Sequence, residues 1–383
     1  MIISKLELRN WRNFIHAEID LSDTVFIIGP NASGKSNLLD VFRFLRDLVT
    51  AHGGGLQQAI ESRGGLSKVK NLAARSNPKV ELSIELRNSA DEKTEPPLWK
   101  YDISITAERG GKRRPVLHHE IVWKKGTKIL ERPLKEDRKD KERLTQTHLE
   151  QINMNGEFRE IAEFFSDVLY LHLVPQLLKY GSGNQLGTGE DPFGQHFLDQ
   201  IAKTTKRTRD SRLGRIEKIL KKVIPNTEEL RFLRDKVTGK PHLEMRYRHW
   251  RPNAGWQRED QFSDGTLRLI ALIWSLLTIN NMILLEEPEL SLNERIVEQI
   301  PKLINDARRS QKRSGGQVLI STHSEAMLAN HSIDGTFLLL TPGNHGESTV
   351  IHQPTKADLS AMSSGLSPAD VLLPQISSTI GRM

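Results

Sequence analysis

Cysteine is absent from the 383 residues, which excludes disulfides and cysteine-ligated metals. No apolar run approaches the roughly eighteen residues that a membrane-crossing helix needs, so no membrane partner is expected. There is no internal repeat and no sustained heptad, which argues against a solenoid or a long coiled coil. The N-terminus alternates polar and apolar residues, unlike a secretory signal, and the cytoplasm is the expected compartment. What is present is ordinary for a globular chain: 37% hydrophobic and 27% charged residues, enough for an ample core. The length predicts one large domain with an insertion, or two domains. A formal charge of +7 and a pI near 9.4 favour an anionic partner without identifying one.

One stretch organises the rest. Gly29-Pro30-Asn31-Ala32-Ser33-Gly34-Lys35-Ser36 follows the apolar run Val25 to Ile28 and opens onto Asn37 to Phe42, which has helical spacing. Strand, glycine loop and helix form the context that gives a P-loop pattern meaning. Gly29 and Gly34 let amide N–H groups turn inward toward phosphate oxygens. Lys35 brings a cation to the β- and γ-phosphates, Ser36 offers a hydroxyl to Mg²⁺, and the helix start adds its dipole. The chain is expected to bind a nucleoside triphosphate with Mg²⁺.

Along the chain, Ile2 to Leu8 reads as an edge strand and Ala17 to Leu21 as a second, with a turn at Asn10 to Phe14. The P-loop helix should run to about Thr50. Alternating runs at Val80–Leu86, Trp99–Thr106, His119–Lys124 and Leu149–Met154 predict antiparallel strands. Arg109–Arg114 and Leu134–Arg143 read as solvated loops, the second partly disordered. Val168 to Val174 predicts a buried strand, ended by Pro175 and Gln176. Helices are predicted at Phe193–Ile201 and Leu213–Ile224, and a strand pair near Leu230–Lys236 and His242–Tyr247.

Two further strand ends carry chemistry. Gln261 to Thr266 leads into an apolar helix, Leu267 to Leu277, with Ser263 as a candidate cap and the helix start a second anion-binding end. Met282 to Leu285 then runs into Glu286-Glu287-Pro288-Glu289. Phosphoryl transfer is mainly positioning and charge neutralisation, so it needs a metal anchor and a group that orients water. Glu286 suits the first role and Glu287 the second. Gln317 to Ser324 repeats the scheme, and His323 could bond both the γ-phosphate and the catalytic carboxylate. A helical segment from Glu294 to Arg308, kinked or restarted at Pro301, supplies the crossover that a parallel sheet requires.

Taken together, these motifs resemble the ABC-type ATPases of the RecF-like, OLD-like and SMC-like AAA group, over Met1 to about Thr50 and Val168 to about Ala329. The resemblance implies an α/β ATPase head with a P-loop core sheet, an antiparallel β subdomain and an inserted helical lobe, without a long coiled coil. Its implied divisions are 1–176 and 263–341 for the two parts of the ATPase, 177–262 for the lobe, and 342–383 for a tail or cap. It implies that the triphosphate is ATP and that Arg12 or Asn13 lies near it, although a surface arginine in a hairpin is an equal reading. It makes Gln176 a nucleotide and metal contact, and Ser263, Asp264, Gly265 and Thr266 the signature that caps a second chain's P-loop. Leu290 to Asn293 stands in the D-loop region. Two departures are visible: Glu286 replaces the usual Asp, and the signature reads Ser-Asp-Gly-Thr instead of Ser-Gly-Gly-Gln. One set of motifs per chain implies a homodimer, or a higher oligomer, formed through the ATP sites.

The run from Lys203 to Lys222 holds nine basic and two acidic residues. Lys203, Lys206, Arg207, Arg209, Arg212 and Arg215 are candidates for salt-sensitive contacts to DNA or RNA phosphates, the alternative being a solvated helix face. No acidic nuclease cluster follows His323. The reading is an ATPase switch whose closure governs nucleic acid or a separately encoded effector, in phage defence or DNA repair. The second reading is an ATP-locked scaffold that silences a toxin or nuclease without binding nucleic acid itself.

Overall fold

The structure, a computed structural model, describes all residues except 52, 74–77, 91, 93–94, 109–112, 182–190, 252–254, 279–280, 310–315, 332, 344–347 and 381–383. Among the described residues no helix is long and apolar enough to cross a membrane.

Strands β1 (Ile2–Trp11), β2 (Phe14–Asp20) and β3 (Thr24–Ile28) precede the P-loop helix α1 (Lys35–Val49) and the short α2 (Leu56–Glu61). Four strands follow: β4 (Val80–Arg87), β5 (Trp99–Ala107), β6 (Pro115–Lys124) and β7 (Thr127–Arg132). They join the first two in an antiparallel sheet of order β2-β1-β4-β5-β6-β7. The alternating burial along β4 shows why: one face meets the core and the other meets solvent. β1 is therefore an interior strand, not an edge, because β2 and β4 pair with its two sides.

The second sheet contains β8 (Val168–Leu171), β12 (Met282–Glu286), β13 (Gln317–Thr322), β14 (Thr336–Pro342) and β15 (Thr349–His352), in the order β15-β14-β3-β13-β12-β8. All neighbours are parallel except β15. Residues of the P-loop strand alternate between two cores. Val25 and Ile27 join the cluster beneath the antiparallel sheet, and Phe26 and Ile28 join the one beneath the helix Asp264–Leu276. A sheet covered on both faces accounts for the unbroken apolar runs.

Between β8 and β12 lies the inserted lobe. It carries the helices Phe197–Lys203 and Lys206–Val223, and also a three-stranded antiparallel sheet of β9 (Thr227–Arg234), β10 (Pro241–Tyr247) and β11 (Trp256–Arg258). The lobe is thus mixed, with one strand more than the sequence pattern showed.

Two expectations in the antiparallel subdomain are corrected. Leu149–Met154 is a series of turns rather than a strand, and Leu134–Arg143 is ordered as a short helix (Lys135–Lys139) and a 3-10 turn (Lys141–Thr145). Asp137 within it is buried against Arg132. Of Arg109–Arg114, residues 109–112 lie outside the described residues, and Arg114 pairs with Glu108 and Glu142. In the 342–383 segment, β15 extends the central sheet, and the helix Pro368–Ile380 follows.

Candidate nucleotide site

The P-loop leaves the end of β3 and its two glycines answer to close contacts. A Cβ on Gly29 would lie 2.7 Å from the carbonyl oxygen of Leu340 on β14. Gly34 has φ +101° and a Cβ there would lie 2.1 Å from Asn13 Nδ2. Lys35 Nζ donates to the carbonyls of Gly29 (2.9 Å) and Pro30 (3.0 Å), folded over its own loop. Burial lowers its pKa from the ordinary value, while Glu287, Glu289 and Glu286 pull the other way. Among the described residues, no recorded hydrogen bond uses the N–H groups of Gly34, Lys35 or Ser36. Ser33 Oγ is buried with no partner. Unengaged amides and a buried cation form a cradle that suits an anionic phosphate group. Gly34→Ala should lower ATP affinity about tenfold, because a methyl group strains the left-handed backbone and displaces the Asn13 amide from the loop. Equilibrium dialysis with labelled ATP measures it; unchanged affinity would count against the cradle.

Glu286 ends β12, two strands away from β3, and faces the loop across β13. One of its oxygens accepts from Ser36 Oγ and the other from Tyr170 Oη on β8. Hydroxyl and carboxylate oxygens meeting in this way make a hard donor set of the type Mg²⁺ takes. Glu287, next in the chain, has φ +44°, unusual for a residue with a side chain. Its N–H donates to the Ser321 carbonyl (3.1 Å) and its carbonyl accepts from Arg268 Nη2 (3.0 Å). Those two bonds hold the bend, and they aim the carboxylate at His323, with Oε1 3.2 Å from Nδ1.

Beneath them lies Glu289, 7% exposed, which accepts from Thr322 Oγ1 (2.6 Å) and from the His323 amide (3.4 Å). Burial raises its carboxyl above the usual range, with Thr322 and His323 opposing. Lys35, Ser36, Glu286, Glu287 and His323 thus gather at the ends of three adjacent parallel strands.

The signature residues form a second group. Ser263 caps its own helix, accepting from the Thr266 amide (3.2 Å) with the two hydroxyls 2.8 Å apart. Asp264 pairs with Lys179 at 2.7 Å and accepts from Gln176 Nε2 at 3.4 Å. Gln176 therefore sits with the signature, while the recorded partners of Glu286 are Ser36 and Tyr170. A Cβ on Gly265 would lie 2.5 Å from the Ser291 carbonyl, which packs the signature against Leu290–Asn293 of the same chain.

Arg12 points elsewhere. Its guanidinium binds Asp40 on α1 (2.9 and 2.6 Å), so it is held by the P-loop helix and not by the loop. Its neighbour Asn13 does reach the loop. It donates to the Ser33 carbonyl (3.3 Å) and accepts from Asn37 (2.8 Å). Thr349 on β15 completes this brace by donating to the same carbonyl at 2.7 Å. The basic run, spread over the end of one helix and the next, divides by environment. Lys203, Lys206, Arg207 and Arg215 are exposed, whereas Arg209 lies over the Phe232 ring at 4.1 Å and Arg212 over Trp274 at 5.4 Å. Burial lowers the Arg212 pKa, with Arg215 adding to it.

Four participants escaped the sequence reading: Tyr170, Glu289, Arg268 and Thr349. Glu289 alone had a signal, its place two residues beyond the carboxylate pair.

A family described as "AAA domain, putative AbiEii toxin, Type IV TA system" matches residues 25–329, well over half of the chain. The chain belongs to that family. It is an AAA-domain ATPase with the fold of an ABC-type head. This AAA chain is 33% identical over 90 residues to the DNA replication and repair protein RecF of Synechocystis sp., covering 23% of each chain. It is 29% identical over 87 residues to RecF of Bacillus mycoides, covering 22% of this chain and 23% of that one. The match thus spans about a quarter of the curated relatives' length. In fold it resembles the SMC head bound to the C-winged helix domain of ScpA, with a TM-score of 0.56 at 16% identity, covering 94% of this chain and 100% of that one. A likeness of 0.51 at 14% identity joins it to the Smc head of Pyrococcus yayanosii, over 95% of this chain and 99% of that one. For the family, ATP hydrolysis with Mg²⁺ is the general activity.

Proposed function

We propose that the chain binds and hydrolyses ATP as a dimeric switch. The observation that carries this reading is the convergence of Ser36, Glu286, Glu287 and His323 at the ends of adjacent parallel strands. Lys35 would leave the loop carbonyls for the β- and γ-phosphates, and the amides of Gly34 to Ser36 would take the remaining phosphate oxygens. Ser36 and Glu286 would hold Mg²⁺, which neutralises developing charge on the phosphates. Glu287 would orient and deprotonate the attacking water. His323, held between Glu287 and Glu289, would sense the γ-phosphate.

Asp264 is paired with Lys179 and Gln176 within the chain, so a second chain's triphosphate would have to compete for that end of the signature helix. Such competition couples nucleotide binding to the lobe spanning 177–262 and supports the switch reading. We place the output of the switch on the lobe's exposed cations, Lys203, Lys206, Arg207 and Arg215, as a nucleic-acid surface. The family's toxin–antitoxin description supports a second output, a partner effector controlled by the same closure.

Purified protein should hydrolyse ATP in the presence of Mg²⁺, and Lys35→Ala should lower ATP affinity at least tenfold, since a charge-assisted contact to phosphate is lost. Sedimentation with and without ATP should show a nucleotide-dependent dimer. A monomer at saturating ATP, or hydrolysis that survives Lys35→Ala, would refute the proposal.

A further inference from the structure

Outside the nucleotide site, four arginines converge on one cavity. It has a volume of about 630 Å³ and lies between α1, α2 and the start of β8. Arg12, Arg43, Arg46 and Arg63 line it, with Asp40 and Asp47 as the lining acids. Each aspartate is shared. Asp40 lies 2.6 Å from Arg12, 2.9 Å from Arg63 and 4.0 Å from Arg43, and Asp47 lies 2.7 Å from Arg46 and 2.8 Å from Arg63. Burial pushes the Asp40 carboxyl up, but Arg63 and Arg12 outweigh it and hold it below the usual range. Asp40 is therefore charged at neutral pH, and the lining residues bring four guanidinium groups against two carboxyl side chains.

A purely structural role would need less. The Arg63 side chain, 5% exposed, already clamps both aspartates and ties α2 to α1. Arg12 and Arg43, 26% and 31% exposed, open onto the cavity around that clamp. Gathering four guanidinium groups around two carboxylates in one concavity leaves a net positive potential that a bound anion would relieve. Guanidinium forks match phosphate oxygens in particular, and the volume falls within the range of small-ligand sites. Val168 and Leu169 add an apolar wall at one side.

We propose that this cavity is a second anion site, which takes a small phosphate-bearing ligand the size of pyrophosphate or a mononucleotide. The site also has a route to the first. The Arg43 guanidinium lies 4.2 Å from the centroid of the Tyr170 ring, whose hydroxyl donates to Glu286. A ligand that draws Arg43 inward changes what supports Tyr170, and through it the carboxylate assigned to Mg²⁺; only this coupling rests on the proposed ATPase reading. By linkage, nucleotide at the P-loop would alter affinity in the cavity by the same factor.

The test uses full-length Lys35→Ala protein, in which the P-loop is disabled, and titrates it with inorganic pyrophosphate by calorimetry. Saturable binding is expected, weakened at least tenfold by adding Arg43→Gln or Arg12→Gln, with thermal unfolding confirming that each variant is folded. If neither arginine change alters affinity, or if the Lys35→Ala protein gives no saturable binding, the proposal fails. Binding of a single-stranded oligonucleotide that depends on these arginines while pyrophosphate neither binds nor competes would also overturn it, in favour of a nucleic-acid surface.

Discussion

Glu287→Gln should reduce ATP turnover by about a hundredfold to ten-thousandfold, the range typical of removing a general base, with ATP affinity nearly unchanged. The reasoning starts from the backbone. Glu287 is bent into a positive φ by its bonds to Ser321 and Arg268, and its carboxylate faces His323. Glutamine preserves size and can keep a hydrogen bond to the imidazole, but it cannot take a proton from water. The P-loop cradle stays intact, so binding and any ATP-driven dimer should persist or become longer-lived. Single-turnover hydrolysis beside equilibrium binding separates the two effects. A variant that turns over within tenfold of the parent would transfer the role elsewhere, with Glu289 the next carboxylate in line.

Arg132→Met should lower folding stability by about 3–5 kcal/mol, the cost of breaking a buried ion pair from one side. Arg132 is 1% exposed and donates to Asp137 through Nε and Nη2, both at 3.0 Å, and to Glu120 through Nη1 at 3.1 Å. It also donates to the carbonyls of Gln146 and Arg143, both at 2.8 Å. Methionine would leave two carboxylates in the core with part of their charge uncompensated. Burial raises the Glu120 carboxyl; it also pushes Asp137 up, but Arg132, the Leu134 amide and Arg143 more than reverse this and hold Asp137 far below 3.8.

The stability that acid removes comes from Asp137, while Glu120, raised above its ordinary value, acts in the opposite sense. The folded pKa of Asp137 lies below the unfolded one, so its stabilisation is full above the ordinary 3.8 and drains as pH falls toward the folded value. Urea midpoints at pH 7 and pH 3 should therefore differ less in Arg132→Met than in the parent. Loss of under 1 kcal/mol at pH 7 would mean that the network does not hold the subdomain.

That network also explains where the sequence misled. Asp137 lies in the mixed-charge stretch Leu134–Arg143, whose composition reads as a solvent-exposed loop, and its pairing with the buried Arg132, which also binds Glu120, is not visible in that stretch. These pairings, and the Glu120 bonds to the His148 and Leu149 amides (2.8 and 3.1 Å), turn that stretch into ordered core. The same bonds fix the turns at Leu149–Met154, where alternation alone implied a strand. Pairing of this kind depends on which segments lie side by side, which local periodicity does not encode.

The P-loop and the Glu286-Glu287 pair were legible because their chemistry imposes local spacing: a strand, a tight glycine turn and a helix start, or an apolar run that ends in carboxylates. Buried parallel strands showed themselves as short apolar runs for the same reason, being covered on both faces. The sequence by itself therefore determined the type of fold, the triphosphate loop and the acids opposite it. Tertiary structure alone decided that Tyr170 braces Glu286, that Arg12 turns to Asp40, and that Thr349 from β15 supports the loop. These contacts join residues far apart in the chain through single side chains, and the packing of the sheets places them.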